Sequence, residues 1–294
     1  MALINPAGPS FAHWTDNLGT FSSGTTYGTQ YEAGLNSGTP ADASPATLLS
    51  ALSHDCEYLV LGFSGFGEAG VNSATLLDIL YDPAGGTSWT ELISDLLVGM
   101  LGATTNFAST SARLGIPLMY HFPLWLPAGS SIGVQAKTVH TGALTTPSRV
   151  VAMAAGGSRN PASWWCGQKV ETVGTLNQTT CRGQAITPGA SGSMAVGWSS
   201  LGSALSAAGG AVQFACQGEA TGSISAGTSR IEFGLGDVPV GPPLYKGMGG
   251  AEDGAHWFAG PIFYDFPAGA QLQARAGSSK AVPGAQDVAA YVVQ

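Results

Sequence analysis

The sequence predicts an all-β protein of two tandem antiparallel β-sandwich domains with jelly-roll-like character, and three observations support this prediction. A strand–turn–strand segment at residues 126–136 returns at residues 266–276. Apolar and polar residues alternate over many short stretches, which is the period of a half-buried strand. Turns rich in glycine and proline separate these stretches, and the 294-residue chain contains 43 glycines and 17 prolines. Short strands with such turns are typical of antiparallel β architecture.

The repeated segment consists of an apolar strand, a Pro-Ala-Gly turn and a second strand of alternating character. Two further blocks agree and follow in the same order in both halves, so we infer a tandem duplication of one β domain. The equivalent positions, first copy before second, are Ile132/Leu272, Val134/Ala274, Ala136/Ala276, Gln135/Arg275, Leu59/Val212, Leu61/Phe214, Phe63/Cys216, Asp78/Glu232 and the closing strands 149–153/287–291.

The duplication predicts an N-terminal arm over residues 1–25, a first domain over 26–155 and a second domain over 156–294. The boundary follows the strand that closes the first copy. Halves of roughly 140–150 residues can each bury a core without disulfides or metals. An immunoglobulin-like sandwich is the nearest alternative, but that fold usually has about 100 residues and a Cys-Trp-Cys spacing that this chain lacks.

The spacing of apolar residues also predicts individual strands and helices. A short helix is expected over 45–53, and a second around 89–105, where Leu92, Ile93, Leu96 and Leu97 recur at helical spacing. The second copy has prolines at the corresponding place, so the second helix is interpreted as an elaboration of the first copy alone. The predicted strands are 58–63, 74–81, 118–126, 130–138 and 149–154 in the first copy, and 211–216, 230–235, 257–266, 270–276 and 287–293 in the second.

Composition and charge exclude several classes of partner. Charged residues make up 10% of the chain, against about 25% in typical proteins. The net charge is −8 and no stretch clusters Lys or Arg, so nucleic acid and acidic membranes are not expected partners. No apolar run reaches the ~18 residues of a membrane span. The N-terminal residues lack the basic and apolar regions of a signal peptide, so none is expected.

A search for chemistry finds no catalytic, cofactor or metal constellation. Residues 65–70 fit G-x-G-x-x-G, but a strand pattern follows them where a dinucleotide site needs a helix, so a hairpin loop is predicted. The five histidines show no metal-ligand spacing. Alternation predicts that Asp78 and Glu232 face solvent, and Asp82-Pro83 is typical of a turn. We therefore expect a protein that is not an enzyme.

The cysteines leave one question open. Cys56 and Cys216 lie in predicted strands and are expected to be buried apolar residues. A bridge between Cys166 and Cys181 is compatible with the sequence, although free thiols are favoured in a chain without a predicted secretion signal.

Aromatic residues are the remaining candidates for a binding surface. Adjacent residues on a strand point to opposite faces, so one ring of the Trp164-Trp165 pair should face outward. Such a ring either stacks on a sugar or packs under a loop or against another subunit, and packing is the favoured interpretation. The aromatic candidates for sugar stacking are Trp14, Trp164, Trp165, Trp198 and Trp257, with Tyr27 and Tyr31. Of these, Trp14, Trp164, Trp165 and Trp257 are the predicted site residues for glycan stacking or for an interface.

The strand–Pro-Ala-Gly–strand hairpins and the segment LYDPAGGTSW at residues 80–89 resemble those of bacteriophage virion proteins. This resemblance implies a non-enzymatic structural component of a tailed phage virion: a capsid decoration, collar or tail-attached fibre protein. It also implies a homo-oligomer that contacts other virion proteins, without a cofactor. A second hypothesis is a carbohydrate-binding adhesin that recognises host surface glycans. A third, a secreted β-sandwich hydrolase, requires two close carboxylates in a cleft.

Overall fold

The computed structural model describes residues 14–18, 29–30, 44–64, 75–98, 118–138, 149–156, 165–176, 181–219, 227–248 and 257–294. The strands in the first half are β1 (Trp14–Leu18), β2 (Thr29–Gln30), β3 (Ala46–Leu49), β4 (Cys56–Ser64), β5 (Thr75–Asp82), β6 (Thr90–Leu97), β7 (Leu118–Phe122), β8 (Ser131–Thr138) and β9 (Arg149–Gly156). Those in the second half are β10 (Val170–Val173), β11 (Thr175–Leu176), β12 (Arg182–Ile186), β13 (Ser199–Ser200), β14 (Gly209–Glu219), β15 (Gly227–Leu235), β16 (Val238–Pro239), β17 (Leu244–Met248), β18 (Trp257–Phe266), β19 (Leu272–Ser278) and β20 (Gln286–Val293).

Each half contributes two antiparallel sheets. In the first half the strand orders are β1-β9-β4-β7, with β2 also paired to β9, and β3-β8-β5-β6. In the second half they are β11-β12-β20-β14-β18, with β10 also paired to β20, and β13-β19-β15-β16, with β17 also paired to β15. The predicted fold class, tandem antiparallel β-sandwiches, is confirmed. The described part of the predicted arm is β1, which pairs with β9 from Trp14 opposite Gly156 onward.

The hydrogen-bonding registers of the two halves agree with the repeat read from the sequence. In the first half, Phe63 pairs with Val150 and Leu61 pairs with Ala152. At the corresponding positions of the second half, Cys216 pairs with Val288 and Phe214 pairs with Ala290. The other sheets correspond in the same way, because Asp78 lies opposite Gln135 and Glu232 lies opposite Arg275. The two halves therefore share side-chain positions as well as strand order.

The repeated Pro-Ala-Gly turns are held by the same contacts in both copies. Leu52 donates its N–H to the carbonyl of Ser130 and accepts from the N–H of Gly129. In the second copy, Leu205 makes both bonds with Ala270 and Gly269. The glycines have φ of 83° and 80°, in the left-handed region that favours glycine over residues with a Cβ. This backbone requirement explains the glycine in both turns.

The predicted strands are present in both halves, and β18 has the predicted bounds. The predicted strand 118–126 ends earlier, at Phe122, and then continues only as isolated bridges of Leu124 and Leu126. The Asp82-Pro83 turn is also confirmed. The carboxylate of Asp82 accepts hydrogen bonds from the N–H groups of Ala84, at 2.9 Å, and Ser88, at 2.8 Å. The predicted hairpin loop at 65–70 lies outside the described residues.

The short helix predicted over 45–53 is wrong. Residues Ala46–Leu49 form β3, in which Leu49 lies opposite Ile132 of β8. The backbone groups of this segment therefore bond across to a neighbouring strand instead of to residues four positions away. The apolar run Leu48-Leu49 is buried against the core, and a short apolar run does not distinguish a strand from a helix.

The helix predicted around 89–105 is also wrong where the structure describes it. Residues Thr90–Leu97 form β6, and the apolar residues in it are buried as neighbouring pairs on both faces. The pairing of β6 with β5 contains register shifts, and Asp95 has a φ of 54°. These irregularities break the strand alternation and produce a spacing that imitates a helix. Nor is the element specific to the first copy, because β16 and β17 pair with β15 on the corresponding edge.

The two halves are joined by a continuous apolar core. The larger of two buried clusters contains the interior of the first half and also residues from the second half, including Ala211, Ala289, Tyr291 and Val293. The smaller cluster lies within the second half, around Phe214 and its neighbours. All eight residues of β20 are buried because one face packs against each cluster. The central sheet of the second half thus has no solvent-facing side along β20.

Tyrosine hydroxyl groups tie the two halves together at this junction. The N–H of Leu97 donates to the Tyr291 hydroxyl at 2.7 Å, and that hydroxyl donates to the carbonyl of Asp95 at 3.2 Å. Tyr120 donates to the carbonyl of Leu97 at 2.7 Å. The rings of Tyr120 and Tyr291 are 5.3 Å apart in an edge-to-face arrangement. The polar ends of both buried tyrosines are therefore bonded within the core.

None of the four cysteines forms a disulfide, which answers the question left open for Cys166 and Cys181. The Cys166 thiol donates to the carbonyl of Glu57 at 3.2 Å, and burial raises its pKa to about 12. Cys56, Cys181 and Cys216 are buried.

We expect native protein at pH 8 to react slowly with a thiol reagent at all four cysteines, because three are buried and the fourth stays protonated. Unfolding in denaturant without a reductant should release four reactive thiols. Counting labelled thiols by mass spectrometry checks this. Only two labelled thiols in the unfolded chain would show that a bridge forms.

Candidate binding surfaces

The structure describes the predicted aromatic residues unequally. Trp165 is 42% exposed, and its indole ring lies over Gly210, where a Cβ would approach it to 2.6 Å. Trp14 begins β1 and Trp257 begins β18, opposite Gly156 and Cys216 respectively, but their side chains are not among those described. Trp164 lies outside the described residues. Trp165 is thus the predicted candidate whose surroundings are defined.

Further aromatic side chains are exposed where the two halves meet. The N–H of Trp125 donates to the carbonyl of Gly167, two residues beyond Trp165, at 2.8 Å. Gly210, under the Trp165 ring, adjoins Ala211, which pairs with Phe263 of β18. The exposed aromatic residues on the segments that these backbone contacts connect are Trp125 at 41%, Trp165 at 42%, Phe263 at 52% and Tyr264 at 41%. We call these four residues the junction surface.

Sequence reasoning missed three members of the junction surface. Trp125 lies between Leu124 and Leu126, which are both buried, so alternation alone would have placed its ring outward. Phe263 and Tyr264 lie in an apolar run in which alternation is lost, near a register shift in the pairing of β18 with β14. The contact between the two halves at this place could not be predicted from the sequence of either copy.

A second surface lies on the outer face of the sheet formed by β13, β19, β15 and β17. Glu232, expected to face solvent, is only 6% exposed, so that prediction was wrong. One of its carboxylate oxygens accepts from Arg230. The other accepts from Nε of Arg275 at 2.8 Å and lies 2.7 Å from Nη2 of the same residue. The two arginine side chains cover the carboxylate and exclude water from it.

Each of these arginines also contacts an aromatic ring. The guanidinium carbon of Arg275 is 4.5 Å from the ring centre of Trp198, and that of Arg230 is 5.7 Å from the ring centre of Tyr245. Both distances allow a cation–π contact. Trp198 in turn lies over Gly234, where a Cβ would approach the ring to 2.6 Å. We call the set Trp198, Arg275, Glu232, Arg230 and Tyr245 the arginine ladder.

Asp78, the equivalent of Glu232 in the first half, is also buried, contrary to the prediction that it faces solvent. It is 2% exposed, and it accepts from the N–H of Asp95 at 2.7 Å and from Lys137 Nζ at 3.3 Å. Burial raises the pKa of Asp78, while the bond from Asp95 and the charge of Lys137 oppose the rise. The prediction failed because the second face of this sheet is also covered, which strand alternation cannot report.

These carboxylates do not form an open acid–base pair. Lys137 Nζ lies 3.3 Å from Asp78 and 3.5 Å from Asp95, so the ammonium group bridges the two acids. Both acids are buried. Among the residues that the structure describes, no group of three or more His, Cys, Asp and Glu side chains could hold a metal ion. No helix in the described part of the chain is long and apolar enough to cross a membrane.

A third buried acid, Asp287, is expected to make the stability of the protein depend on pH. Asp287 is 1% exposed and accepts from Nε of Arg182 at 2.7 Å. Burial raises its pKa from 3.8 to about 6, and Arg182 opposes this rise. An acid with a raised pKa in the folded state binds its proton more tightly when folded. Its contribution to stability is therefore complete below pH 3.8 and is lost as the pH rises through about 6.

We expect Asp287→Asn to remove this dependence. The shift corresponds to about 3 kcal/mol between the two ends of the range, from about 1.4 kcal/mol per pKa unit. Urea unfolding between pH 4 and pH 7 should show a flatter stability profile for the variant than for the wild type. Identical profiles would contradict a titrating Asp287, and Asp237→Asn, at an exposed turn, is the matched control.

Comparisons with known proteins assign no family. No protein-family model matches the chain, and no curated protein matches it. Among solved structures, the chain is similar to the N-terminal CBM22-1-CBM22-2 tandem domain of Xyn10C from Paenibacillus barcinonensis. The match covers 99% of both chains at 11% sequence identity, with a TM-score of 0.25. At this score the likeness supports no conclusion about what this chain binds or does.

Proposed function

We propose that the protein is a non-enzymatic structural component of a tailed bacteriophage virion, a capsid decoration, collar or tail-attached fibre protein that assembles as a homo-oligomer. The observation that supports this most is the junction surface, whose four aromatic side chains are each more than 40% exposed. Exposed aromatic side chains on neighbouring segments of a folded protein are typical of surfaces that bind another molecule.

The chemistry of the junction surface suits a protein–protein contact. Aromatic rings lose little conformational entropy on binding, and they are enriched in the centres of interfaces. Charged residues are depleted in such centres, and this chain has only 10% charged residues overall. The fused core, in which Tyr120 and Tyr291 are in contact, joins the two halves that carry these residues.

Light scattering coupled to size-exclusion chromatography tests the assembly. We expect an oligomer in the micromolar range, with Trp165→Ser and Phe263→Ser each weakening association at least tenfold, the loss typical of a residue central to an interface. Val282→Ser is the matched control, because Val282 is 82% exposed outside the junction surface. A monomer at every concentration would contradict the oligomer.

The virion role itself is tested by the neighbouring genes and by particle composition. We expect the gene to lie among genes for capsid, tail-tube or tape-measure proteins, and the protein to be found by mass spectrometry in purified particles. A gene among metabolic enzymes, with no protein in particles, would overturn the proposal.

A second candidate is a carbohydrate-binding adhesin that recognises host surface glycans. The observation that favours it is the flat, solvent-facing ring of Trp165, held against Gly210 with 42% of its surface exposed. Binding on a glycan array that is lost in Trp165→Ala would support it. Glycan binding unaffected by Trp165→Ala would remove this residue from the site.

A further inference from the structure

The arginine ladder restrains two guanidinium groups, each on two sides. Each arginine contacts the same buried carboxylate of Glu232 on one side and an aromatic ring on the other. A side chain restrained in two directions has already lost most of its conformational freedom. Any ligand that binds these groups therefore pays little additional entropy to order them.

Most of the hydrogen-bond donors of these arginines remain available to a ligand. A guanidinium group has five N–H donors, and Glu232 accepts through two oxygens shared between both arginines. The side chains of Arg230 and Arg275 are 43% and 28% exposed. Two arginines around one glutamate leave a local excess of positive charge on a protein whose net charge is −8. The ladder is thus suited to an anion.

The aromatic rings indicate what kind of anion fits. Tyr245 is 62% exposed, and Trp198 is partly exposed at the opposite side of the ladder. Trp198 directly precedes β13 and its ring lies over Gly234 of β15, while Tyr245 lies on β17 opposite Arg230. An open face with a ring at each side and guanidinium donors between them matches an extended chain of sugar rings with carboxylate substituents. Two arginines are too few for the phosphates of a nucleic acid.

We propose that the arginine ladder binds a carboxylated oligosaccharide, with Arg230 and Arg275 donating to a carboxylate and Tyr245 stacking on a sugar ring. This inference deepens and rests on the carbohydrate-binding candidate, and it places the acidic sugar on the sheet of β13, β19, β15 and β17, which contains no member of the junction surface. Arginine suits this role because its planar fork matches both oxygens of a carboxylate.

The duplication provides an internal comparison. In the first half, Asp78 and Gln135 occupy the positions of Glu232 and Arg275. Gln135 carries no charge, and the cation beside Asp78 is Lys137, which is 18% exposed and shared with Asp95. At these equivalent positions of the described residues, the arginine is therefore present in the second half and replaced in the first. The shared fold does not require it, because the first half folds in the same register without it.

The test is binding of the full chain to an array of uronate- and sialate-containing oligosaccharides, each printed beside its carboxyl-reduced counterpart. We expect binding to carboxylated members and not to their reduced counterparts, with affinity that falls as salt is raised. Arg230→Gln and Arg275→Gln should each weaken binding at least tenfold, and Tyr245→Ala should weaken it as well. Lys169→Gln, which removes one exposed positive charge elsewhere, should leave it unchanged.

The outcomes separate this site from the broader candidate function. Binding that is lost in Trp165→Ala but retained in both arginine variants would leave a carbohydrate-binding protein and overturn the ladder as its site. Absence of binding to every carboxylated glycan would overturn the ladder whatever the neutral glycans do. The unfolding midpoint of Tyr245→Ala should equal that of the wild type, which would show that this variant loses binding without losing its fold.

Discussion

Tyr291→Ala is expected to lower the free energy of unfolding by about 4–8 kcal/mol. The side chain is fully buried, and truncation of a buried aromatic residue typically costs about 3–5 kcal/mol. The change also leaves the N–H of Leu97 without its bond to the Tyr291 hydroxyl, which adds about 1–3 kcal/mol. Urea unfolding followed by tryptophan fluorescence measures the loss.

The position of Tyr291 predicts more than a loss of stability. Because its ring and hydroxyl connect the second half to Tyr120 and Leu97 of the first, we expect wild-type protein to unfold in one transition. In Tyr291→Ala the two halves should separate into two transitions by calorimetry. Tyr291→Phe keeps the ring and should cost only the hydrogen-bond part, about 1–3 kcal/mol. A loss below 1 kcal/mol in Tyr291→Ala would contradict the shared core.

Phe214→Ala is expected to destabilise the protein by about 3–5 kcal/mol, and Leu61→Ala by about 2–5 kcal/mol. The two residues are equivalent in the repeat and lie opposite Ala290 and Ala152. Phe214 stacks on Phe233 with ring centres 3.9 Å apart, so its removal also loses an aromatic pair. Chemical denaturation at neutral pH checks both values.

The control for this pair is Val282→Ala, which should change stability by less than about 0.5 kcal/mol because Val282 is 82% exposed. A large effect at one repeat position and none at the other would contradict equivalent roles for Phe214 and Leu61. Such a result would show that one half keeps the repeated apolar position in its sequence but does not pack that side chain in its core.

The repeat could be read from the sequence because strand alternation is a local property. Side chains of a strand point alternately to its two faces, so a conserved order of apolar positions determines which ones meet in the core. Val134 and Ala274 therefore face Ile79 and Phe233 at the same place in both halves. The Pro-Ala-Gly turns were equally legible, since Gly129 and Gly269 need a backbone conformation that glycine adopts most easily.

The two predicted helices failed for a related reason. Alternation is a guide only when one face of a strand is exposed, and β6 is buried on both faces. The apolar residues of β6 therefore do not alternate with polar ones along the strand. The irregular backbone at Asp95 then gives the apolar residues on its two sides a helix-like spacing. In β3 the apolar run was too short to discriminate between the two structures.

The candidate surfaces were only partly accessible from the sequence. Trp165 was predicted from its position beside Trp164, but Trp125 joins it only through the contact between the halves, and Phe263 only through the pairing of β18 with β14. The arginine ladder was missed because Glu232 was assigned to the solvent. Its burial depends on Arg230 and Arg275, which come from two strands far apart in the chain.

By itself the sequence determined the β class, the duplication, the corresponding strand positions of the two halves and the glycine turns, since each follows from residues close in the chain or from a period repeated along it. Only the tertiary structure decided which faces are covered, that Tyr291 fuses the two halves into one core, and that two arginines share one buried glutamate. Those features depend on contacts between distant segments, whose free energy comes from excluding water when two surfaces meet. No local pattern records which surfaces will do so.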